Sequence, residues 1–376
     1  MDVLIVGGGV IGLATACELA REGHAVQILE RETPGSRASW VAAGLLTPSS
    51  PWKYPQALID LCLRSEELYP DFVADLIEHT GVDPEYEVAG MLYPVGVGLT
   101  AEDVAEQSRR RQAMGFRSES FGRAQLDALH PGFGPAVTGA GWQPRSGRVR
   151  PPRLLAALRL RAAGLGVEVT SHCEVKALIA GPRGVRGVFA ATGQILEAEA
   201  LVLAAGAWSG GLADTLGLSL FVRPIRGQIL LLRGEPGLLG PTVNNGDSYL
   251  VPRRDGRILV GSTMEAVGFN EWNTPEAIAR LRALARALFP ATEGMVGEMT
   301  WAGLRPGTPD RMPYLGRVPQ VPGLILATGH YRNGILLAPV TARIVADLLA
   351  NRAPPVDLSP YAPREIDPEL QLAGVP

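Results

Sequence analysis

The first thirty residues constrain this chain more than any later segment. Val3-Leu4-Ile5-Val6 is a short, fully apolar run, and Gly7, Gly9 and Gly12 follow it in the spacing G-x-G-x-x-G. The pattern predicts a buried strand, a helix over 13–22, and a second strand over Ala25–Leu29 ending at Glu30. Each part has a physical task. Gly7 permits the tight turn, Gly9 lets a pyrophosphate approach the backbone, and Gly12 lets the helix lie close on the strand. The helix N-terminus, with the amides of Val10 and Ile11, offers N–H groups and a positive dipole end to phosphate. Glu30 is placed to accept hydrogen bonds from ribose hydroxyls. Strand, helix, second strand and acidic terminator all fall in order, which a lone glycine triplet would not do.

The rest of the composition narrows the partners. At 376 residues, 46% hydrophobic and 19% charged, the chain has material for two domains, or for one with a large insertion, around a sizeable core. A net charge of −3 gives no electrostatic case for nucleic acid or an anionic membrane. No stretch approaches the roughly 18 apolar residues of a membrane span. The apolar N-terminal run is too short for a signal peptide and lacks a basic flank. Cys17, Cys62 and Cys173 are odd in number and widely spaced, which predicts neither a disulfide framework nor a metal site. A reducing, cytoplasmic setting is expected. Lys53 and Lys176 are the only lysines, so an arginine is singled out only where its local frame argues for it.

Along the chain, 31–52 reads as a loop carrying Ser39-Trp40-Val41-Ala42-Ala43-Gly44-Leu45-Leu46, and 55–80 as a helix. Thr100 with Asp103 predicts a capping box before a helix ending near Gly115. A helix over Arg153–Gly164 precedes strands at Val167–Thr170 and Val175–Ile179, and Leu201–Ala205 is a buried strand. Residues 221–263 look antiparallel, with strands at Gln228–Leu232, Ser248–Pro252 and Ile258–Gly261. Thr274-Pro275 opens a helix to Phe289. Leu324–Ala327 is again a buried strand, and a last helix covers 335–350, with Pro339 expected in its first turn. The tail from Ala353 is expected to run over the surface. Strand–helix units at the start, near 150–210 and near 300–350 alternate with two mixed or antiparallel blocks. This predicts an α/β protein, α+β overall. A doubly wound parallel-sheet domain (1–83, 145–219 and 301–376) would carry an inserted, largely antiparallel-sheet substrate domain (84–144 and 220–300).

Later segments bring a family into view. Gly303-Leu304-Arg305-Pro306-Gly307-Thr308-Pro309-Asp310, with Pro313-Tyr314-Leu315-Gly316, resembles the signature of the D-amino-acid-oxidase-like flavoproteins. Gly329-His330-Tyr331-Arg332-Asn333-Gly334-Ile335-Leu336-Leu337-Ala338-Pro339 is similar to the matching segment of the bacterial glycine oxidases of thiamine biosynthesis. Ala42–Leu46, Pro224–Gln228 and Ala205–Ser209 also fit, and the resemblance spans Met1 to about Tyr361. It implies FAD, extended, with its adenine end at the fingerprint. Glu30 and Arg31 would face the adenosine ribose and Val175 the adenine. Ala38 and Ser39 would lie along the pyrophosphate, and Ala43, Gly44 and Leu45 along the flavin. Gly206 and Trp208 would border the cofactor. The run His330, Tyr331, Arg332, Asn333, Gly334, Ile335 and Leu336 would bring a helix N-terminus to flavin N1 and O2, where negative charge gathers on reduction. Dehydrogenases of this superfamily that link flavin to a histidine carry it where Val41 stands. Sarcosine oxidases use a late cysteine, and none follows Cys173. Non-covalent FAD is therefore expected. Trp40 and Asp247 depart from the glycine-oxidase pattern.

The resemblance also implies a substrate site. An α-amino acid must have its carboxylate fixed so that its Cα–H points at flavin N5, and a guanidinium fork does this well. Arg305, in a stiff Gly/Pro frame, is the expected anchor, with Arg332 assisting. Tyr249 would donate to the carboxylate, and Met264 would shape the side-chain space. The expected reaction converts glycine, and sarcosine or small D-amino acids with it, to an imine and then to an oxo acid and ammonia, with oxygen taken to hydrogen peroxide. The imine would supply thiazole synthesis. No general base is needed. A D-amino-acid dehydrogenase using another electron acceptor is the alternative within the same chemistry. A nicotinamide dehydrogenase accounts for the fingerprint but not for the Arg305 and Arg332 frames, and a flavin-bound scaffold would hold cofactor without turnover. The family also implies a homo-oligomer, a tetramer.

Overall fold

A computed structural model describes residues 2–48, 51–246 and 248–364. Asp247 therefore lies outside the described residues. Six strands form one sheet in the order 314–317, 324–328, 200–203, 2–6, 25–29, 168–170. All its pairs are parallel except that of Tyr314–Arg317 with Leu324–Thr328. Strand Asp2–Val6 sits centrally and is buried on both faces, which is why it reads as an unbroken apolar run. Val3 and Ile5 join a core built with helices Val10–Arg21, Gln56–Thr80, Pro151–Gly164 and Gly334–Leu349. Leu4 and Val6 point the other way, into a core shared with the three-stranded sheet 175–181, 184–190, 195–197.

A second sheet has eight strands in the order 296–307, 223–233, 257–261, 249–252, 242–244, 91–95, 139–143, 119–122. It is antiparallel except where Thr242–Asn244 runs parallel to Met91–Val95. Period-2 alternation divides its faces. Leu230, Leu232, Leu250 and Val260 pack towards helix Pro275–Leu288. Ile229, Tyr249, Val251 and Leu259 point the other way, towards Ala43 and Leu45 of the loop after helix Ala38–Val41. The strand that carries Arg305 belongs to this sheet, paired with Arg223–Arg233 along its whole length.

Local expectations hold at several ends. Thr100 and Asp103 form the reciprocal capping box, and the Thr274 hydroxyl accepts from Ala277 N at 3.4 Å. Others need correction. The first helix starts at Val10, not 13, because it begins directly at the end of the glycine turn, with Gly9 as its N-cap. The loop 31–52 contains the helical turn Ala38–Val41, and a 3-10 turn, Pro51–Lys53, begins at its end. Pro339 is the sixth residue of helix Gly334–Leu349, not in its first turn. A proline there leaves the Ile335 carbonyl without its helical donor, and the Tyr69 hydroxyl donates to that carbonyl instead, at 2.6 Å. The tail does not stay on the surface, because Tyr361 is buried and its hydroxyl donates to Ala57 O at 2.6 Å. No helix among the described residues is long and apolar enough to cross a membrane.

Candidate functional site

One cavity runs from the fingerprint turn to the inner face of the eight-stranded sheet. Gly7 leaves the first strand at φ +108°, and a Cβ there would lie 2.5 Å from Ala204 O. A Cβ on Gly12 would lie 1.9 Å from Gly7 O, so Gly12 acts by letting the helix touch the turn and does not itself line the cavity. Gly9, Val10 and Ile11 do line it. The Val10 amide donates to Ser39 Oγ at 2.9 Å, which leaves the Ser39 proton for another acceptor. Glu30 is fixed from both sides, with Oε2 accepting from Gly8 N at 2.7 Å and Oε1 from Glu32 N at 3.0 Å. The Arg31 guanidinium lies 3.6 Å over the Trp208 ring, which stacks in turn on Phe269. Ala38, Val175 and Gly206 complete this part of the wall.

The segment after the short helical turn is polarised. The Val41 carbonyl accepts from Trp301 Nε1 at 3.2 Å, the Ala43 carbonyl from Arg253 at 2.8 Å, and the Gly44 carbonyl from Val149 N at 2.9 Å. The amides of Ala42, Ala43, Gly44 and Leu45 donate to no partner among the described residues, and these four residues line the cavity. Such a row of amides suits the hydrogen-bonding edge of a flavin. Only glycine fits at 44, where φ is +77° and a Cβ would lie 2.1 Å from Val149 O. Trp40 faces away from this work and packs edge-on against Trp301, with centroids 5.2 Å apart.

At the other end the register of the second sheet assembles the site. Ile225 pairs with Arg305, Gly227 with Gly303, and Ile229 with both Trp301 and Gly261, which also pairs with Tyr249. Directly paired residues share a face, so Arg305 and Tyr249 rise from one surface floored by glycines. A Cβ on Gly227 would lie 2.3 Å from Arg305 Nη2, and one on Gly261 2.7 Å from the Tyr249 ring. Arg305 donates to Thr263 O at 3.0 Å and to Ser262 Oγ. Burial lowers its pKa, opposed by the Tyr249 phenol and reinforced by the charge of Arg332. Neither Arg305 nor Arg332 has an acidic partner among the described residues, whereas the buried Arg226 is held by Glu265 at 2.6 Å. Two arginines repelling each other across a cavity invite an anion between them.

Tyr331 adopts a left-handed backbone (φ +48°), its amide donating to Pro306 O at 3.1 Å. Its hydroxyl reaches Met264 Sδ at 3.6 Å, so Met264 touches the site through Tyr331 and does not line the cavity. His330 lines the cavity yet is buried, its Nε2 3.0 Å from Thr341 Oγ1. Burial pushes its pKa down to about 3, so it stays neutral. Asn333, Gly334 and Ile335 open the last helix at the cavity wall, without a side-chain cap. Leu336 instead lies in the core, and its carbonyl accepts from Ser65 Oγ at 2.6 Å.

Sequence reasoning missed Gly227, Gly261 and Gly303 as a floor, although a glycine inside a strand pattern signals a close approach. It also missed Tyr54, which lines the cavity, and Arg253 and Trp301, which hold the loop from outside. Nothing in the local sequence around Arg253 marks it.

The chain is similar to known proteins along most of its length. The family described as FAD dependent oxidoreductase (DAO) matches residues 2–348. A glycine oxidase of Pseudomonas putida is 40% identical over 363 residues, 96% of this chain and 98% of that protein. A bifunctional protein ThiO/ThiG of Trichormus variabilis is 39% identical over 355 residues, covering 93% of this chain and 53% of its own length. Among solved structures, glycine oxidase from Geobacillus kaustophilus superposes with a TM-score of 0.92 at 35% identity, covering 97% of this chain and 99% of that one.

Proposed function

We propose, from the premise that this chain belongs to the FAD dependent oxidoreductase (DAO) family, that it oxidises glycine, with sarcosine and small D-amino acids as the next candidate substrates. The net reaction takes glycine, water and oxygen to glyoxylate, ammonia and hydrogen peroxide. In a thiamine-forming setting, the intermediate imine would pass to thiazole synthesis. The likeness to a ThiO/ThiG protein supports that second use.

The residues fit FAD in an extended conformation. Gly7, Gly9 and the Ile11 amide at the start of helix Val10–Arg21 suit the pyrophosphate, with Ser39 already holding the Val10 amide. Glu30 and Arg31 suit the adenosine, and the amides of 42–45, unpaired among the described residues, suit the flavin. When bound, FAD supplies the acceptor for the electron pair leaving the substrate Cα. The protein's own part is to place that Cα. Arg305 takes the carboxylate on its fork, Arg332 adds charge from the final loop, and the Tyr249 hydroxyl donates alongside. The glycine floor keeps the Arg305 fork low on the sheet and the space above it open for substrate. The neutral His330, committed to Thr341, supports the loop and moves no proton.

The observation that carries this reading is the pair of cavity arginines, Arg305 and Arg332, without a carboxylate partner among the described residues. The test is anaerobic addition of glycine, sarcosine, D-alanine and D-proline to the purified yellow protein. Rapid bleaching by glycine, with peroxide on re-aeration, is the expected result. Bleaching without peroxide would transfer the assignment to a dehydrogenase with another acceptor. A colourless protein that binds NADH would sink it.

A further inference from the structure

Arg253 follows strand Tyr249–Pro252 and turns its side chain into the junction between the two sheets. It is 8% exposed. Nη2 donates to Ala43 O and Nη1 to Val149 O, both at 2.8 Å. Val149 in turn donates its amide to Gly44 O, so the arginine bridges both sides of one backbone pairing. The neighbouring arginines are paired, Arg148 with Glu87 and Arg150 with Glu85 and Asp255. Arg253 has no carboxylate in ion-pair contact among the described residues, and its partners are neutral carbonyls. Burial lowers its pKa to about 10, reinforced by the charges of Arg148 and Arg150 and opposed by the nearby carboxylates of Glu85 and Asp255, so it is a cation at neutral pH just behind the 42–45 loop that lines the cavity.

We infer that Arg253 is a positioning residue for the flavin: it holds the Ala43 carbonyl back so that the 42–45 amides face the ring, and its buried charge favours the reduced cofactor. The physics is direct. A cationic donor on the Ala43 carbonyl polarises the Ala43–Gly44 peptide and makes the Gly44 N–H a stronger donor. A fixed positive charge stabilises the more negative of two redox states. The inference rests on the proposed placing of the flavin beside Ala43–Leu45.

The test compares R253K, R253Q and R253M holoenzymes in two measurements besides turnover. These are the two-electron midpoint potential against a reference dye, and FAD affinity of the apoprotein by fluorescence quenching. R253M is expected to bind FAD about tenfold more weakly. It should also disfavour the reduced over the oxidised form about tenfold, a fall of about 30 mV. R253Q, which keeps a donor without charge, should retain most of the affinity and show the fall in potential. R253K should hold the potential near wild type. Unchanged affinity and potential in R253M would overturn the inference, as would R253K and R253Q sharing one potential. Should R253M not fold, the R253K and R253Q pair decides alone. A wild-type holoenzyme that glycine does not reduce defeats the proposed function, and the variant potentials still judge this inference separately.

Discussion

Arg305 shows how much one side chain depends on residues that have none. Its guanidinium rests over Gly227, in contact distance of where a Cβ would stand. Gly227→Ala is expected to lift the fork and raise KM for glycine at least tenfold while leaving FAD bound, as steady-state kinetics and the visible spectrum will show. Arg305→Ala goes further, since under the proposed function it leaves the substrate carboxylate without its main partner. A loss of about 3–5 kcal/mol in kcat/KM is expected, again with FAD retained, and wild-type kinetics would remove Arg305 from the site. A second residue sets a pH response. Glu66, on helix Gln56–Thr80, is raised from 4.5 to about 7 because burial outweighs the Thr47 hydroxyl and the Arg145 charge. The folded state thus holds this proton more tightly than the unfolded one. Stability from it is fully present below the ordinary glutamate range and is lost as pH rises through about 7. Glu66→Gln should be more stable than wild type at pH 8 by about 1–3 kcal/mol, with the gain vanishing near pH 4, in urea titrations at both values.

At the scale of elements, the sequence was most legible where one physical rule dominates. The first strand, the second strand and helix Gln56–Thr80 lie where apolar period and punctuation put them. Thr100 and Thr274 cap the helices they were expected to cap. Pro339 misled, because the rule against proline in a helix interior assumes that no outside donor replaces the missing bond. Tyr69 is that donor, and it comes from 266 residues away. Tyr69→Phe should therefore orphan the Ile335 carbonyl and destabilise the fold by about 1–2 kcal/mol, read from the shift of a denaturant midpoint. The same remoteness hid Trp301 and Arg253, whose contacts with Val41 and Ala43 span 260 and 210 residues.

For the whole molecule, the cavity lies between two sheets that meet through the 42–46 loop and the face bearing Tyr249 and Arg305. A ligand spanning that junction binds only the folded, assembled state. Saturation with FAD at a hundredfold excess over its Kd should stabilise the protein by about 2.7 kcal/mol. The apoprotein should accordingly melt lower, with a midpoint that climbs with added FAD in a thermal scan. By itself the sequence determined that the chain opens on a turn and helix suited to a dinucleotide, that parallel and antiparallel blocks alternate, and that Arg305 and Arg332 stand in frames suited to a carboxylate. Those features are written in short-range spacing, where turn geometry and strand or helix period act. The tertiary structure alone decided which glycines form the floor, which carbonyls are tied back so that four amides are left unpaired at the cavity, and that Arg305 and Arg332 line it with no acidic partner among the described residues. These depend on strand register and on contacts hundreds of residues apart, and no local pattern in the chain encodes either.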